Sequence, residues 1–117
     1  MKSHKDLEVW KRSVAFVTEI YKITKTYPSD EKYGIVNQMR RSAVSIPSNI
    51  SEGAARNHPK EYMHFLYVSL GSLAELETQL IISNNLNYIN HDNFEILNKE
   101  IIEIKNMLLG LIRYLSK

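Results

Sequence analysis

One pair of residues in the sequence has the spacing of a metal-binding motif. Glu61 and His64 form a Glu-x-x-His pair, which places two ligands on one face of a helix, as in di-iron helical bundles. A di-iron site needs a second such pair and two further carboxylates. His4, His58 and His91 have no glutamate three residues before them, so a second pair could come only from another copy of the chain. We therefore favour a surface histidine at His64 and predict no metal site.

Other motifs that carry chemistry are missing from the sequence. It has no cysteine, which excludes disulfides and thiolate metal sites. It has no glycine-rich phosphate loop and no nucleophile elbow. The Gly71 and Ser72 pair in "LGSLAE" lies inside an amphipathic pattern, where a role in helix packing is the better interpretation. We predict that the protein is not an enzyme and uses no cofactor.

Clustered basic residues could contact phosphate groups. The net charge is only +2 and the isoelectric point about 8.8, which is mildly basic. In a monomer such clusters form an ordinary solvated surface, whereas in a ring each one is repeated and becomes multivalent. Because Trp10 and most tyrosines fall on or near apolar stripes, we expect electrostatic binding with little base stacking. The candidate nucleic-acid-binding residues are Lys11, Lys22, Lys25, Arg40, Arg56 and Lys60.

A ladder of polar residues follows helical spacing in the middle of the chain. It could be a network that fixes the register between helices, or a binding or catalytic groove. Small uncharged residues with one arginine and two carboxylates favour the structural interpretation. We therefore expect Arg41, Asn49 and Glu52 to be at least partly buried and hydrogen-bonded. The ladder comprises Gln38, Arg41, Ser45, Asn49 and Glu52, with Ser72 and Glu75 as its counterpart on the next helix.

These side chains are carried by four stretches with the apolar spacing of helices. The first helix is predicted from Leu7 to Thr26, the second from an N-cap at Ser29, the third from the junction 57–59, and the fourth after the asparagine-rich segment 83–93. Short links favour antiparallel neighbours, so we predict an all-α, up-down-up-down four-helix bundle in a single domain of residues 1–117. The fourth helix has the clearest apolar seam, formed by Phe94, Leu97, Ile101, Ile104, Leu108, Leu111 and Leu115.

A proline interrupts the second helical stretch. Pro47 removes one backbone donor and crowds the preceding turn near Ala43. The helix should therefore end or kink at this point, and our predicted fold has it kinked near Pro47. Ser45, Ser48 and Asn49 lie beside the proline and can hydrogen-bond the backbone groups that it frees.

More apolar surface is present than one bundle core requires. The first helix carries two adjacent apolar stripes, and Ile102, Leu109 and Ile112 lie beside the main seam of the fourth. We expect a homo-oligomer, with a monomer of generous core contacts as the alternative. The N-terminus does not resemble a signal peptide and no apolar run approaches the length of a membrane span, so we expect a cytoplasmic protein without membrane contact.

Three segments carry a resemblance to a known family. They are "VWKRSVAFVTEIYKIT", "YGIVNQMRRSAVSIPSNISEG" and "FLYVSLGSLAELETQL". Together they resemble bacterial four-helix-bundle proteins of the 23S-rRNA intervening-sequence type, some of which are labelled ribosomal proteins. Leu70 stands where a basic residue is common in this family, so no nucleic-acid contact is carried over to that position.

The resemblance implies a ring-shaped assembly, with a homopentamer among relatives. A similar accessory protein of diversity-generating retroelements forms a pentameric barrel that binds a reverse transcriptase and nucleic acid. We therefore expect a non-catalytic oligomeric module that binds RNA or a nucleic-acid enzyme. The alternative is a protein-interaction scaffold with no nucleic-acid role.

Overall fold

Four long α-helices make up most of the computed structural model, which describes residues 3–117. No β-strand occurs in that part of the chain. A single turn of 3₁₀-helix at His4–Asp6 precedes the first helix, and a second turn at Ser29–Glu31 lies in the first link. The helices are α1 (Glu8–Thr24), α2 (Ile35–Ala55), α3 (Pro59–Asn85) and α4 (His91–Leu115).

The four helices pack in the order in which they follow one another. Consecutive helices contact along the bundle, and α4 returns to contact α1, whereas α1 and α3 lie diagonally and do not touch. The molecule is elongated along the helix axes, with extents of 44 × 24 × 20 Å. This arrangement confirms the predicted all-α four-helix bundle.

The core follows the helical periodicity of the sequence, with one difference in α1. There the inward stripe is that of Val9, Phe16 and Ile20, which are nearly inaccessible to solvent. Val14 and Tyr21 belong to the other apolar stripe and are each 39% exposed. In α4 the predicted seam is buried from Leu97 to Leu108, and the buried Ile112 extends it.

The first two links between helices show one predicted helix boundary that was right and one that was wrong. At the second link, His58 caps α3 by accepting a hydrogen bond at Nδ1 from the Lys60 backbone N–H (3.2 Å), and Pro59 is the first helical residue, as expected. The predicted start of α2 at Ser29 was wrong. Gly34 has a non-helical backbone (φ −106°, ψ −118°), which separates the 3₁₀ turn from α2.

α2 runs without interruption through Pro47, so the expectation that the helix might end there was wrong, and a kink is not confirmed. Side chains donate hydrogen bonds to three successive carbonyl oxygens around the proline. Asn49 Nδ2 donates to the Ser45 oxygen (2.8 Å), Ser69 Oγ to the Ile46 oxygen (2.9 Å), and Ser51 Oγ to the Pro47 oxygen (2.9 Å). The helical acceptor that Pro47 leaves without a donor is the Ala43 carbonyl oxygen, so these bonds do not replace the missing one. The bond from Ser69 instead ties this turn of α2 to α3.

The α2–α3 pair is the most extensive helix contact in the molecule. Small residues permit it. A Cβ atom built on Gly53 would lie 2.9 Å from Phe65 Cβ and 3.1 Å from the Tyr62 carbonyl oxygen, so only glycine allows this approach. Towards the other end of the pair, buried Ser42 and Ala43 face α3.

Candidate nucleic-acid interface

The predicted phosphate-binding residues fall into two groups at opposite ends of the bundle. Lys22, Lys25 and Arg40 lie where α1 ends and α2 begins, whereas Lys11, Arg56 and Lys60 lie around the other end. Three further residues belong with the first group and were missed by sequence reasoning: Lys32, Tyr21 and Tyr33. We refer to the first group as the α1–α2 basic face, which comprises Lys22, Lys25, Lys32 and Arg40 with the aromatic residues Tyr21 and Tyr33.

Arg40 is held in place on this face by three contacts. Its Nε donates to Thr24 Oγ1 (3.0 Å), and its terminal nitrogen donates to the Tyr21 carbonyl oxygen (3.3 Å). Its guanidinium also lies 4.6 Å from the centre of the Tyr21 ring. A guanidinium fixed in this way binds an anion with less loss of side-chain entropy than a free one.

Charge is concentrated in the segment that forms this face. Residues 20–41 contain five basic residues and two acidic ones, a net charge of +3, while the rest of the chain has a net charge of −1. Of the two acids, Glu31 accepts a hydrogen bond from Tyr88 Oη (2.7 Å), which directs its carboxylate towards the link before α4. The exposed Arg41 also belongs to this segment. Counting charge along the chain would have revealed this concentration, whereas the overall charge of +2 conceals it.

At the other end, two of the three predicted residues interact with their own chain. Lys11 pairs with Glu8 on α1 at 3.6 Å. Arg56 pairs with Glu52 at 3.4 Å, and its guanidinium lies 5.1 Å from the centre of the Phe65 ring. These are exposed pairs of small energy. They nevertheless neutralise charge locally, so this end is the weaker candidate for binding an anion.

The structure overturns the expectation that few aromatic rings are exposed. Tyr33 is 87% exposed, Tyr114 71% and Tyr67 58%, while Tyr21 is partly covered by Arg40. Trp10 packs against the core as expected and donates a hydrogen bond from Nε1 to Ser51 Oγ (3.0 Å). Tyr27 is buried in the core, and Tyr62 and Tyr88 pack against it.

The polar ladder forms only in part. Ser45 and Ser72 join their hydroxyls across α2 and α3 (2.8 Å), and Asn49 Nδ2 also donates to Ser45 Oγ (2.9 Å). Ser42, which sequence reasoning missed, donates to Glu75 Oε1 (2.9 Å). This part of the ladder is a packing network between helices.

The outer part of the ladder faces solvent. Gln38, Arg41 and Glu52 are exposed, and Glu52 contacts only Arg56 on its own helix. The expectation that Arg41 and Glu52 are buried within the subunit was therefore wrong. Helical spacing puts these residues on one face, but long charged side chains keep their ends in water.

A charged cluster that sequence reasoning missed joins α1 to α4. Arg12 donates two parallel hydrogen bonds to Glu100 (2.9 and 2.6 Å) and also bonds Glu103. The carboxylates, Glu100 first, raise the pKa of Arg12, and Arg12 in turn lowers the pKa of Glu103. Because α1 and α4 pack least extensively of the adjacent helices, this cluster is a tie between them rather than a binding site.

Beyond this tie, α1 and α4 diverge and leave an open apolar groove of about 490 Å³. Phe16, Ile23 and Leu97 line its floor. Ile96, also on its lining, is 65% exposed.

The Glu61 and His64 pair has no further ligand nearby. Residues 3–117 contain no group of three or more histidine, aspartate or glutamate side chains arranged to hold a metal ion. Both residues are exposed, and the His64 ring packs edge-on against Phe65, with 5.3 Å between ring centres.

α3 has an apolar face that the described part of the chain leaves exposed. Tyr67, Ile81 and Ile82 on this helix are 42–58% exposed. Gly71 lies on the same outer surface, and a Cβ atom there would meet nothing within 4 Å. By length and composition alone, α3 is apolar enough to cross a membrane, a test that core helices of soluble proteins also pass. The outer face of α3 is therefore the candidate surface for contact with a partner.

Comparison with known proteins identifies relatives of the chain. The family model described as "23S rRNA-intervening sequence protein" matches residues 5–110. The crystal structure of a protein of unknown function from the S23 ribosomal protein family of Bacteroides thetaiotaomicron has the same fold, with a TM-score of 0.80 and 25% sequence identity. The match covers 89% of this chain and 97% of that one. None of the curated proteins is significantly similar to the chain.

Proposed function

Because the chain belongs to the family of 23S rRNA-intervening sequence proteins, we propose that it is a non-catalytic, oligomeric helical module that binds RNA through repeated basic surfaces. The observation that carries the proposal is the charge of the α1–α2 basic face. Its segment, residues 20–41, has a net charge of +3 in a chain whose total is +2.

The physical expectation for one subunit is weak binding. Lys22, Lys25, Lys32 and Arg40 offer at most four phosphate contacts, and non-specific complexes of this kind have Kd values of about 10⁻⁴ to 10⁻⁶ M. An oligomer presents the same face several times, and the resulting effective concentration strengthens binding without a new contact. The proposal therefore joins two properties, RNA binding and assembly.

The exposed face of α3 supports the assembly. A glycine in the middle of an exposed helix costs stability relative to alanine, and nothing in the subunit fills the space above Gly71. Glycine there lets a neighbouring backbone come close, with Tyr67 one turn before it and Ile81 further along the same helix as exposed apolar side chains. We take this face as one of the two complementary surfaces through which copies of the chain meet in a ring, and we expect the pentamer that the family resemblance implies.

A titration of structured RNA at two salt concentrations tests the proposal. Affinity should fall steeply between about 50 and 200 mM salt, because each phosphate contact releases counterions. The double reversal Lys22→Glu with Lys25→Glu should lower the affinity and reduce the salt slope by about 1.4 to 1.8, since each of the two lost contacts contributes about 0.7 to 0.9.

A matched control separates local from overall charge. Lys99→Glu with Lys117→Glu changes the net charge equally at two exposed residues outside the α1–α2 basic face. It should leave the salt slope near that of the unmodified protein. Absence of RNA binding at low salt would instead favour the second candidate function, a protein-interaction scaffold, which the uncovered apolar face of α3 supports.

A further inference from the structure

Tyr33 is the more exposed of the two aromatic side chains of the α1–α2 basic face. Its ring is 87% exposed, it lies in the link between α1 and α2, and the Lys32 ammonium is 5.6 Å from the ring centre. Burying an aromatic ring stabilises a fold by about 1.5 to 3 kcal/mol, a contribution that Tyr33 forgoes. The ring therefore has little structural role within the subunit.

The two tyrosines of this face do different things. Arg40 covers one side of the Tyr21 ring and is hydrogen-bonded to the Tyr21 carbonyl oxygen, so Tyr21 positions a cation. Among residues 3–117, no aromatic or guanidinium group packs on Tyr33. One tyrosine thus holds a cation in place, and the other offers a free ring beside a lysine.

Aromatic rings interleaved with cations are suited to single-stranded nucleic acid. Unpaired bases can stack on a tyrosine while lysine and arginine contact the backbone, whereas bases in a duplex are already stacked and cannot reach the ring. Arg40 lies about 7.5 Å along the axis of α2 from its first residue, Ile35, and Tyr33 lies two residues before that start. That helical length alone corresponds to about two stacked nucleotides at about 3.4 Å each.

We propose that the α1–α2 basic face binds unpaired RNA, with one base stacked on Tyr33 and neighbouring phosphates bound by Lys25, Lys32 and Arg40. This inference rests on the proposed function and specifies the kind of RNA that the face takes. It also assigns a role to Tyr33, which the charge pattern of the sequence did not indicate.

Fluorescence anisotropy with two labelled RNAs tests the inference. One is a single-stranded oligoadenylate of about 12 nucleotides and the other a duplex of the same length, within the usual site size for single strands. The unmodified protein should bind the single strand more tightly. Tyr33→Ala should weaken that binding about 5- to 100-fold, the effect of losing one stacked base, and Tyr33→Phe should restore it to within about 2-fold.

Tyr114→Ala is the matched control. Tyr114 is 71% exposed on α4, at the opposite end of the bundle, and its loss should leave both affinities unchanged. Circular dichroism of each variant confirms that the bundle is intact.

The outcomes separate this inference from the proposed function. If neither RNA binds at low salt, the proposed function fails. If both RNAs bind in a salt-dependent way but equally well, or if Tyr33→Ala has no effect or no more than Tyr114→Ala, only the present inference is overturned.

Discussion

Gly53 and Gly71 both lie inside helices, and the structure predicts opposite effects when each is replaced by alanine. At Gly53 the new Cβ atom would be 2.9 Å from Phe65 Cβ and 3.1 Å from the Tyr62 carbonyl oxygen. In protein structures a Cβ atom essentially never lies within 3.0 Å of a non-bonded heavy atom from another part of the chain. Neither neighbour is the end of a flexible side chain, so α2 and α3 would have to move apart.

The expected loss follows from two opposing terms. Overpacking a core by one methyl group costs about 1 to 3 kcal/mol. Alanine recovers less than about 1 kcal/mol through its higher helix propensity, and Gly53 is close to the end of α2, where that gain is smaller. We expect Gly53→Ala to lower the free energy of unfolding by about 1 to 2 kcal/mol. At Gly71 only the propensity term applies, so Gly71→Ala should raise the stability of the isolated subunit by up to about 1 kcal/mol.

Urea unfolding followed by circular dichroism measures both changes. Titrations at several protein concentrations separate the subunit from its assembly, because association makes apparent stability depend on concentration. A Gly53→Ala variant as stable as the unmodified protein would refute the reasoning on close helix approach. If Gly71→Ala destabilises the protein only at concentrations where it is assembled, the added methyl group lies in the contact between subunits.

Three further predictions concern the charged tie, the polar ladder and the assembly. Because Arg12 lowers the pKa of Glu103, their pairing stabilises the fold fully at pH values above 4.5, the ordinary pKa of a glutamate. This stabilisation is lost as the pH falls through the lowered pKa. Thermal melts of Arg12→Met should therefore be less pH-dependent below about pH 5 than those of the unmodified protein, and parallel profiles would contradict this. In urea titrations Asn49→Ala should lower the free energy of unfolding by about 1 kcal/mol, because it removes two hydrogen bonds to Ser45. The exposed Glu52→Ala should change it by less than about 0.5 kcal/mol. A larger loss for Glu52→Ala than for Asn49→Ala would count against the observed network. Light scattering coupled to size exclusion should give a mass well above the 13.6 kDa of one chain, and about 68 kDa for a pentamer. Ile81→Glu on the exposed face of α3 should shift the mass to that of the monomer. A monomeric unmodified protein would refute assembly.

Hydrophobic spacing predicted the helices and most of the core because burial imposes the period of the helix on the sequence. It was less informative where two stripes share that period. In α1 the stripe of Trp10, Val14 and Tyr21 has the same spacing as the stripe of Phe16 and Ile20, and spacing alone does not say which one faces inward. Only the position of the other helices decides it.

Local backbone features limited the prediction of α2. Ser29 was predicted to cap α2, but it is the first residue of a 3₁₀ turn whose cap position is Pro28, and its side chain makes no capping bond. Gly34, with its non-helical backbone, separates that turn from α2. At Pro47 the prediction weighed the missing donor and the steric clash. It did not include the contact with α3, whose Ser69 donates to the carbonyl oxygen before the proline.

The sequence predicted which basic residues could form the candidate site, but it did not predict how they are arranged in space. Lys22, Lys25 and Arg40 were identified as basic residues of two helices, but their meeting at one end of the bundle depends on the α1–α2 link. Tyr33 was missed because tyrosine was counted with the apolar stripes, whereas a ring in a short link has no helix to bury it. The Arg12 cluster joins residues about 90 positions apart in sequence, a pairing that spacing cannot indicate.

The placement of the two candidate surfaces makes assembly and RNA binding compatible. α1 and α3 are diagonal in the bundle, so the neighbour that covers the outer face of α3 does not cover Lys22 and Lys25 on α1 of the same subunit. In a ring the α3 face meets a different surface of the next copy, and RNA binding requires that this surface is not the α1–α2 basic face. Each added subunit then contributes a further segment of charge +3 at the α1–α2 end, and the remaining charge of −1 per subunit is carried elsewhere. Under the proposed function, phosphate contacts increase with the number of subunits, while the apolar area exposed per subunit falls. The proposed ring would gain affinity for RNA from repetition alone, so the proposal does not require a net charge above +2 per chain.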